Sequence, residues 1–199
     1  MKIKYFSTAD EKELYQESVK LLKQGKIVLL PTDTIDGLSA RADRESSIRQ
    51  VFQMKDRDFS KPLLILVSSL RMARQYCYLN TKQSEKLKKI WSESRPTSVL
   101  LKHRSLLPPV LNANSPYLAV RLPKSVFLRK MIKAVGAPLV STSFNRSGEF
   151  PLSAAEAADF FQTAPRPALV LVETKNKKTK KASRLISLDE NACIKLLRA

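Results

Sequence analysis

The chain has 199 residues, 43% of them hydrophobic, which suits one globular domain with a sizeable core rather than a disordered chain. No apolar run approaches the roughly 20 residues that span a bilayer, and the opening MKIKYFSTADEKEL lacks the apolar centre of a secretion signal. Lys and Arg number 36 against 18 Asp and Glu, a net charge of +18, so polyanions such as nucleotides or RNA are the expected partners. Cys77 and Cys193 stand far apart with no disulfide framework, which predicts a reducing, cytoplasmic setting.

In chain order, Ser7 and Thr8, followed three residues on by Asp10 and Glu11, predict a helix N-cap. Leu14, Tyr15, Val19, Leu21 and Leu22 carry the helical spacing, and Gly25 is its stop. A buried strand over 27–30 runs into PTDTIDGL, residues 31–38, a loop of hydroxyls, a carboxylate and a glycine. Such strand ends are where α/β proteins place small-molecule sites. A helix is expected over 43–55, with Ile48, Val51 and Phe52 inward, then the polar loop KDRDFSK and an apolar strand over 62–67. Helices over 68–78 and 81–91, a strand over 97–101, a loop over 102–116 and a strand over 117–122 follow. Next come a helix over 125–135 and a strand over 138–141 leading into STSFNRSG. Ser153 with Glu156 caps a further helix ending near residue 161. Strands over 168–172, 184–188 and 193–197 close the chain, with the basic loop ETKNKKTKKAS between the first two. Strands alternating with helices, then strands closely spaced, predict a single α/β domain over 1–199 built on a mixed parallel and antiparallel sheet.

Four polar clusters fall at strand ends: PTDT, KDRDFSK, the turn after Val120 and STSFNRSG. They offer the cations Lys55, Arg57, Lys61 and Arg121, and neutral hydrogen-bonding groups on Thr32, Thr34, Ser141, Thr142, Ser143, Asn145 and Ser147. The single histidine, His103, and the lack of a Cys/His cluster argue against zinc. There is no Walker loop and no dinucleotide glycine fingerprint, so no organic cofactor is expected. A Ser-His-Asp triad could run only through His103, whose LKHRSLLPP surroundings carry no nucleophile elbow. Cations and hydroxyls with few bases suit anionic substrates and catalysis by positioning and charge stabilisation.

PTDTIDGL, KDR with the downstream Lys61-Pro62-Leu63, AVRLP, PLVSTSFNRSG and the terminal KLLRA occur in one order along the chain. In that order they resemble the motifs of the YrdC-like threonylcarbamoyl-AMP synthase family. The resemblance implies a twisted mixed sheet with helices packed around it. It also implies that L-threonine, bicarbonate and ATP give threonylcarbamoyl-AMP and pyrophosphate for tRNA modification, with Mg²⁺ carried by ATP. Transferred by position, Lys55, Arg57, Ser143 and Asn145 would be catalytic. Thr34, Arg121, Ser141 and Ser183 would hold threonine, and Arg57, Lys61, Ser143, Asn145 and Arg198 would hold ATP. Implied partners are tRNA or double-stranded RNA and the downstream tRNA threonylcarbamoyl transferase proteins.

The chain departs from the pattern in three places. Asp36 stands where the family's loop usually carries an aromatic, setting an anion near the expected substrate carboxylates. WSESRPT replaces a glycine-containing turn, and residues 175–184 are lysine-rich where glycine is usual. Two further readings therefore stand beside the synthase: a non-catalytic RNA-binding protein on the same fold, and a diverged relative taking another nucleotide or acyl group.

Overall fold

A computed structural model describes residues 2–6, 11–145, 165–173 and 181–199. The expected N-cap at Ser7 and Thr8, the helix begun by Ser153 and residues 174–180 of the basic loop lie outside them. Among the described residues ten strands form one sheet: β1 Lys2–Phe6, β2 Val28–Leu30, β3 Gly37–Arg41, β4 Leu64–Leu66, β5 Thr97–Lys102, β6 Tyr117–Arg121, β7 Leu139–Ser143, β8 Leu169–Glu173, β9 Arg184–Leu188 and β10 Ile194–Arg198. Their order is β1-β8-β2-β3-β7-β4-β6-β5-β9-β10. The β1/β8, β8/β2, β4/β6 and β5/β9 pairs are parallel, and the remaining neighbours are antiparallel. This is the mixed sheet that the spacing of strands and helices predicts.

Among the described residues five α-helices pack on the sheet: α1 Glu11–Lys23, α2 Glu45–Met54, α3 Leu70–Tyr76, α4 Thr81–Ser92 and α5 Val126–Val135. Side chains cap three of them. Asn80 and Gln83 form a reciprocal capping box at α4, and Ser69 and Ser125 each accept a backbone N–H at the starts of α3 and α5. Gly25, at φ +81°, lets the chain leave α1 in the left-handed region that other residues resist. None of the helices among the described residues is long and apolar enough to cross a membrane.

Alternation along the strands divides the core in two. One face sends Leu29, Leu38, Ile65, Val99, Val120, Val140 and Ile186 against α2, α3 and α4. The opposite face sends Val28, Leu30, Leu66, Leu139 and Leu171 against α1 and α5. Those two helices cover only part of that second face. Over β6, β5 and β9 its members are Tyr117, Ala119 and Arg121, Ser98 and Leu100, and Leu185, and these line a cavity instead. The site is therefore a stretch of sheet that no helix among the described residues covers.

Two strands depart from expectation. β1 is a strand in a stretch whose sequence marks only the absence of a secretion signal, and its KIKYF places Ile3 between two lysines in strand fashion. The last two residues of PTDTIDGL are not loop: Gly37 and Leu38 begin β3, paired with both β2 and β7. Small residues give GLSAR little intrinsic strand preference, and two flanking strands supply what propensity does not.

Candidate functional site

The cavity has a volume of about 410 Å³ and reaches the first and last polar elements of the chain. Its size falls in the range of small-molecule sites, and Leu63, Leu64, Leu100 and Leu185 give it an apolar floor. Of the residues singled out from sequence, Thr34, Arg57, Arg121, Ser141, Thr142, Ser143, Ser183 and Arg198 line it together.

Arg121 is the centre of one end. It is only 2% exposed, at the end of β6. Its Nη1 donates to Thr34 Oγ1 at 2.9 Å and reaches Asp33 Oδ1 at 3.3 Å. The second Asp33 oxygen accepts the Lys124 backbone N–H at 3.0 Å, so one carboxylate ties the PTDT loop to the turn after β6. Burial lowers the proton affinity of Arg121, and the Asp33 carboxylate opposes that. Among the described residues Arg121 Nε is buried without a hydrogen-bond partner. A buried guanidinium with donors to spare, beside a cavity, is built to take a carboxylate or phosphate.

The hydroxyls around Arg121 are ordered in one direction. Thr32 Oγ1 donates its only proton to Ile35 O at 2.8 Å. Thr34 must then be the donor in the 3.0 Å contact between the two threonine hydroxyls, leaving its lone pairs for Arg121 and the cavity. Ser141 joins Thr34 on the cavity wall from β7, which pairs with β3 alongside Gly37, a residue with no Cβ. A Cβ on Gly37 would sit 2.9 Å from Ser141 Oγ and 3.2 Å from Thr142 O.

At the other end, α2 finishes at Met54, and two residues on Asp56, at a φ of 46°, turns the chain through the left-handed region. Lys55 and Arg57 consequently point apart. Arg57 lies against the cavity, its Nε and Nη2 donating at 3.0 Å to the carbonyls of Lys61 and Pro62. Lys55 turns inward and is 1% exposed. Its Nζ donates to Ser143 O, and at 2.7 Å to both Asn145 O and Asn145 Oδ1. Burial, with the neighbouring Arg57 charge, pushes the Lys55 ammonium down to about 7. Along the third side, Ser183 Oγ lies 2.8 Å from Ser98 Oγ, and Arg198 Nη2 donates to Ser183 O at 3.0 Å, fastening the end of β10 over the cavity.

Three expected site residues do not line the cavity: Lys55, Lys61 and Asn145. Lys55 and Asn145 stand behind the wall, bonded to each other, and Lys61 is exposed beyond Arg57, to which it offers its carbonyl. The expected anion at Asp36 is also displaced. Ile35 is on the wall, whereas Asp36 is half-buried outside it and accepts the Phe144 N–H through its backbone. Asp33, between the two threonines of PTDT, is a site residue beyond those expected from sequence. Its signal was an acid flanked by hydroxyls at a strand end, facing an arginine elsewhere in the chain. His103 bonds within its own loop, accepting from Ser105 N and contacting Ser115 O at 2.9 Å, so it shapes the 102–116 segment. No group of three or more His, Cys, Asp or Glu that could hold a metal ion occurs among the described residues.

A mixed sheet with a stretch that no described helix covers, carrying a buried arginine and a ring of hydroxyls, defines an α/β protein whose strand-end site has the chemistry suited to small anions. A profile described as "Telomere recombination", joining Sua5, YciO and YrdC, matches residues 20–199, and the chain belongs to this family. A Methanocaldococcus jannaschii relative is 30% identical over 149 residues, which are 75% of this chain and 69% of its own. The threonylcarbamoyl-AMP synthase of Pyrococcus abyssi is 30% identical over 142 residues, 70% of this chain and 41% of its own length. A variant of the Pyrococcus abyssi Sua5 superposes with a TM-score of 0.83 at 25% identity, covering 96% of this chain and 55% of that one. The chain thus spans about half the length of the Pyrococcus protein.

Proposed function

We propose that the chain is a threonylcarbamoyl-AMP synthase, converting L-threonine, bicarbonate and ATP into threonylcarbamoyl-AMP, pyrophosphate and water. The observation that carries the reading is Arg121, buried beside the cavity with Nε unpartnered among the described residues, in a chain whose named relative is such a synthase. Arg121 would clamp the threonine carboxylate, while Thr34 turns lone pairs toward the threonine amine. Ser141 and Ser183 close that subsite. Arg57, Ser143 and Arg198 are the residues proposed to meet the nucleotide.

The threonine nitrogen lone pair attacks the bicarbonate carbon, and loss of water leaves a carbamate. A carbamate oxygen then attacks the α-phosphorus of ATP, the bond from that phosphorus to the bridging oxygen breaks, and pyrophosphate departs with the electron pair. Charge gathers on phosphate oxygens throughout, so fixed cations, and Mg²⁺ arriving with ATP as part of the substrate, supply the stabilisation. tRNA and the transferases that consume the product are proposed partners; the net charge of +18 supports the first.

The test is incubation with labelled threonine, bicarbonate, ATP and Mg²⁺. Bicarbonate-dependent pyrophosphate and threonylcarbamoyl-AMP are expected. RNA binding with neither ATP binding nor product would replace the synthase with a non-catalytic RNA-binding protein, and ATP cleavage with another acyl donor would indicate a diverged substrate. Arg57→Ala should lower turnover at least about 100-fold, in the range for lost charge stabilisation, with an unchanged melting temperature.

A further inference from the structure

The sequence pairs Lys55 with Arg57 as though both cations served one ligand, but the structure separates them. A lysine ammonium has three N–H donors and no more. Those of Lys55 have three acceptors: Ser143 O, Asn145 O and Asn145 Oδ1. The same Asn145 Oδ1 accepts from Ser143 Oγ at 2.7 Å. No carboxylate pairs with Lys55 among the described ion pairs. Burying an unpaired charge is costly, and it persists where surrounding dipoles hold it. The dipoles here all belong to one short segment, the last residue of β7 and the two that follow it, whose Ser143 lines the cavity.

We infer that Lys55 is a positioning residue, a three-way tie that fixes Ser143 and Asn145 behind the cavity wall, and that it makes no contact with phosphate. The tie has a chemical consequence. Ser143 spends its hydroxyl proton on Asn145 Oδ1, so it presents lone pairs to the cavity and accepts from the ligand. Arginine cannot replace the lysine, because a planar fork does not fit three oxygens gathered around one point. This inference rests on the nucleotide reading only for what Ser143 meets; the tie itself is a property of the free protein.

The experiment uses Lys55→Met, Asn145→Ala and the double variant of the full chain. Amide hydrogen exchange without ligand reads the tie, and calorimetric titration with ATP and with AMP reads the site. In Lys55→Met the Phe144 amide should exchange at least about tenfold faster, while α1 and α5 are unchanged. ATP and AMP should weaken by equal factors, and the double variant should lie within about threefold of the weaker single, as coupled partners do. If Lys55→Met fails to fold, Asn145→Ala, which keeps the charge and removes one acceptor, must still speed exchange at Phe144. Unchanged exchange, or ATP weakened tenfold more than AMP with additive variants, would overturn the tie and put Lys55 on a phosphate. A wild-type protein that binds neither nucleotide defeats the synthase reading alone, and the exchange result still decides the tie.

Discussion

Asp33 makes the sharpest single-residue test of the carboxylate end, because it touches Arg121 and Lys124 but does not line the cavity. Asp33→Asn keeps the shape and removes the charge facing a buried guanidinium. The KM for threonine should rise about tenfold, the equivalent of roughly 1.4 kcal/mol, while the affinity for ATP stays within about twofold; steady-state kinetics with each substrate varied would check both. Lys55 predicts a pH dependence of stability. Its folded-state value is near 7 against an ordinary 10.5, so between these the unfolded chain holds the extra proton. Stability should therefore be lowest below about 7 and rise with pH through that window, for this group, and Lys55→Met should flatten the rise. Denaturant titrations at pH 6 and pH 9 would read it. Asp36, by contrast, sits off the wall, so Asp36→Tyr should change turnover by less than about threefold, a small effect on the scale where tenfold is 1.36 kcal/mol. A change of a hundredfold in the same turnover assay would return Asp36 to the substrate.

Among the elements, the β3/β7 pair decides where the hydroxyls stand. Gly37→Ala would place its new methyl against Ser141 Oγ, which can rotate away, and against Thr142 O, which cannot. Thermal unfolding should record a loss of about 1 kcal/mol, at the low end for overpacking, and threonine titration should record weaker binding. The capping box of α4 predicts a purely structural loss: Asn80→Ala should cost about 1 kcal/mol without altering KM. Helices and buried strands were legible from sequence because their residues state their own partners through spacing, as Ile48, Val51 and Phe52 do in α2. β3 was not, because GLSAR becomes a strand through β2 and β7, neither of which is adjacent to all of it in sequence. The site behaved the same way. Arg121 and Thr34, each at a strand end, could be matched to a motif, whereas the division of labour between Lys55 and Arg57 depends on Asp56, a backbone turn that no motif spells out.

At the scale of the whole molecule, charge and sheet coverage make separate claims. A net charge of +18 predicts that RNA binding, where it occurs, weakens steeply with salt, with a log–log slope of about −0.7 per neutralised phosphate on a single strand. Fluorescence anisotropy with a tRNA stem-loop between low and physiological salt would measure it, and a flat response would separate the basic surface from nucleic acid. The half-covered sheet has a different outcome. Along β5 and β6, Val99, Leu101, Leu118 and Val120 belong to the core, while Ser98, Leu100, Ala119 and Arg121, interleaved with them, belong to the cavity. Each strand therefore carries two independent messages on alternate letters. One can be rewritten while the other is kept, so a protein of this build can acquire a new ligand by exchanging every second residue of a few strands, with its fold left intact.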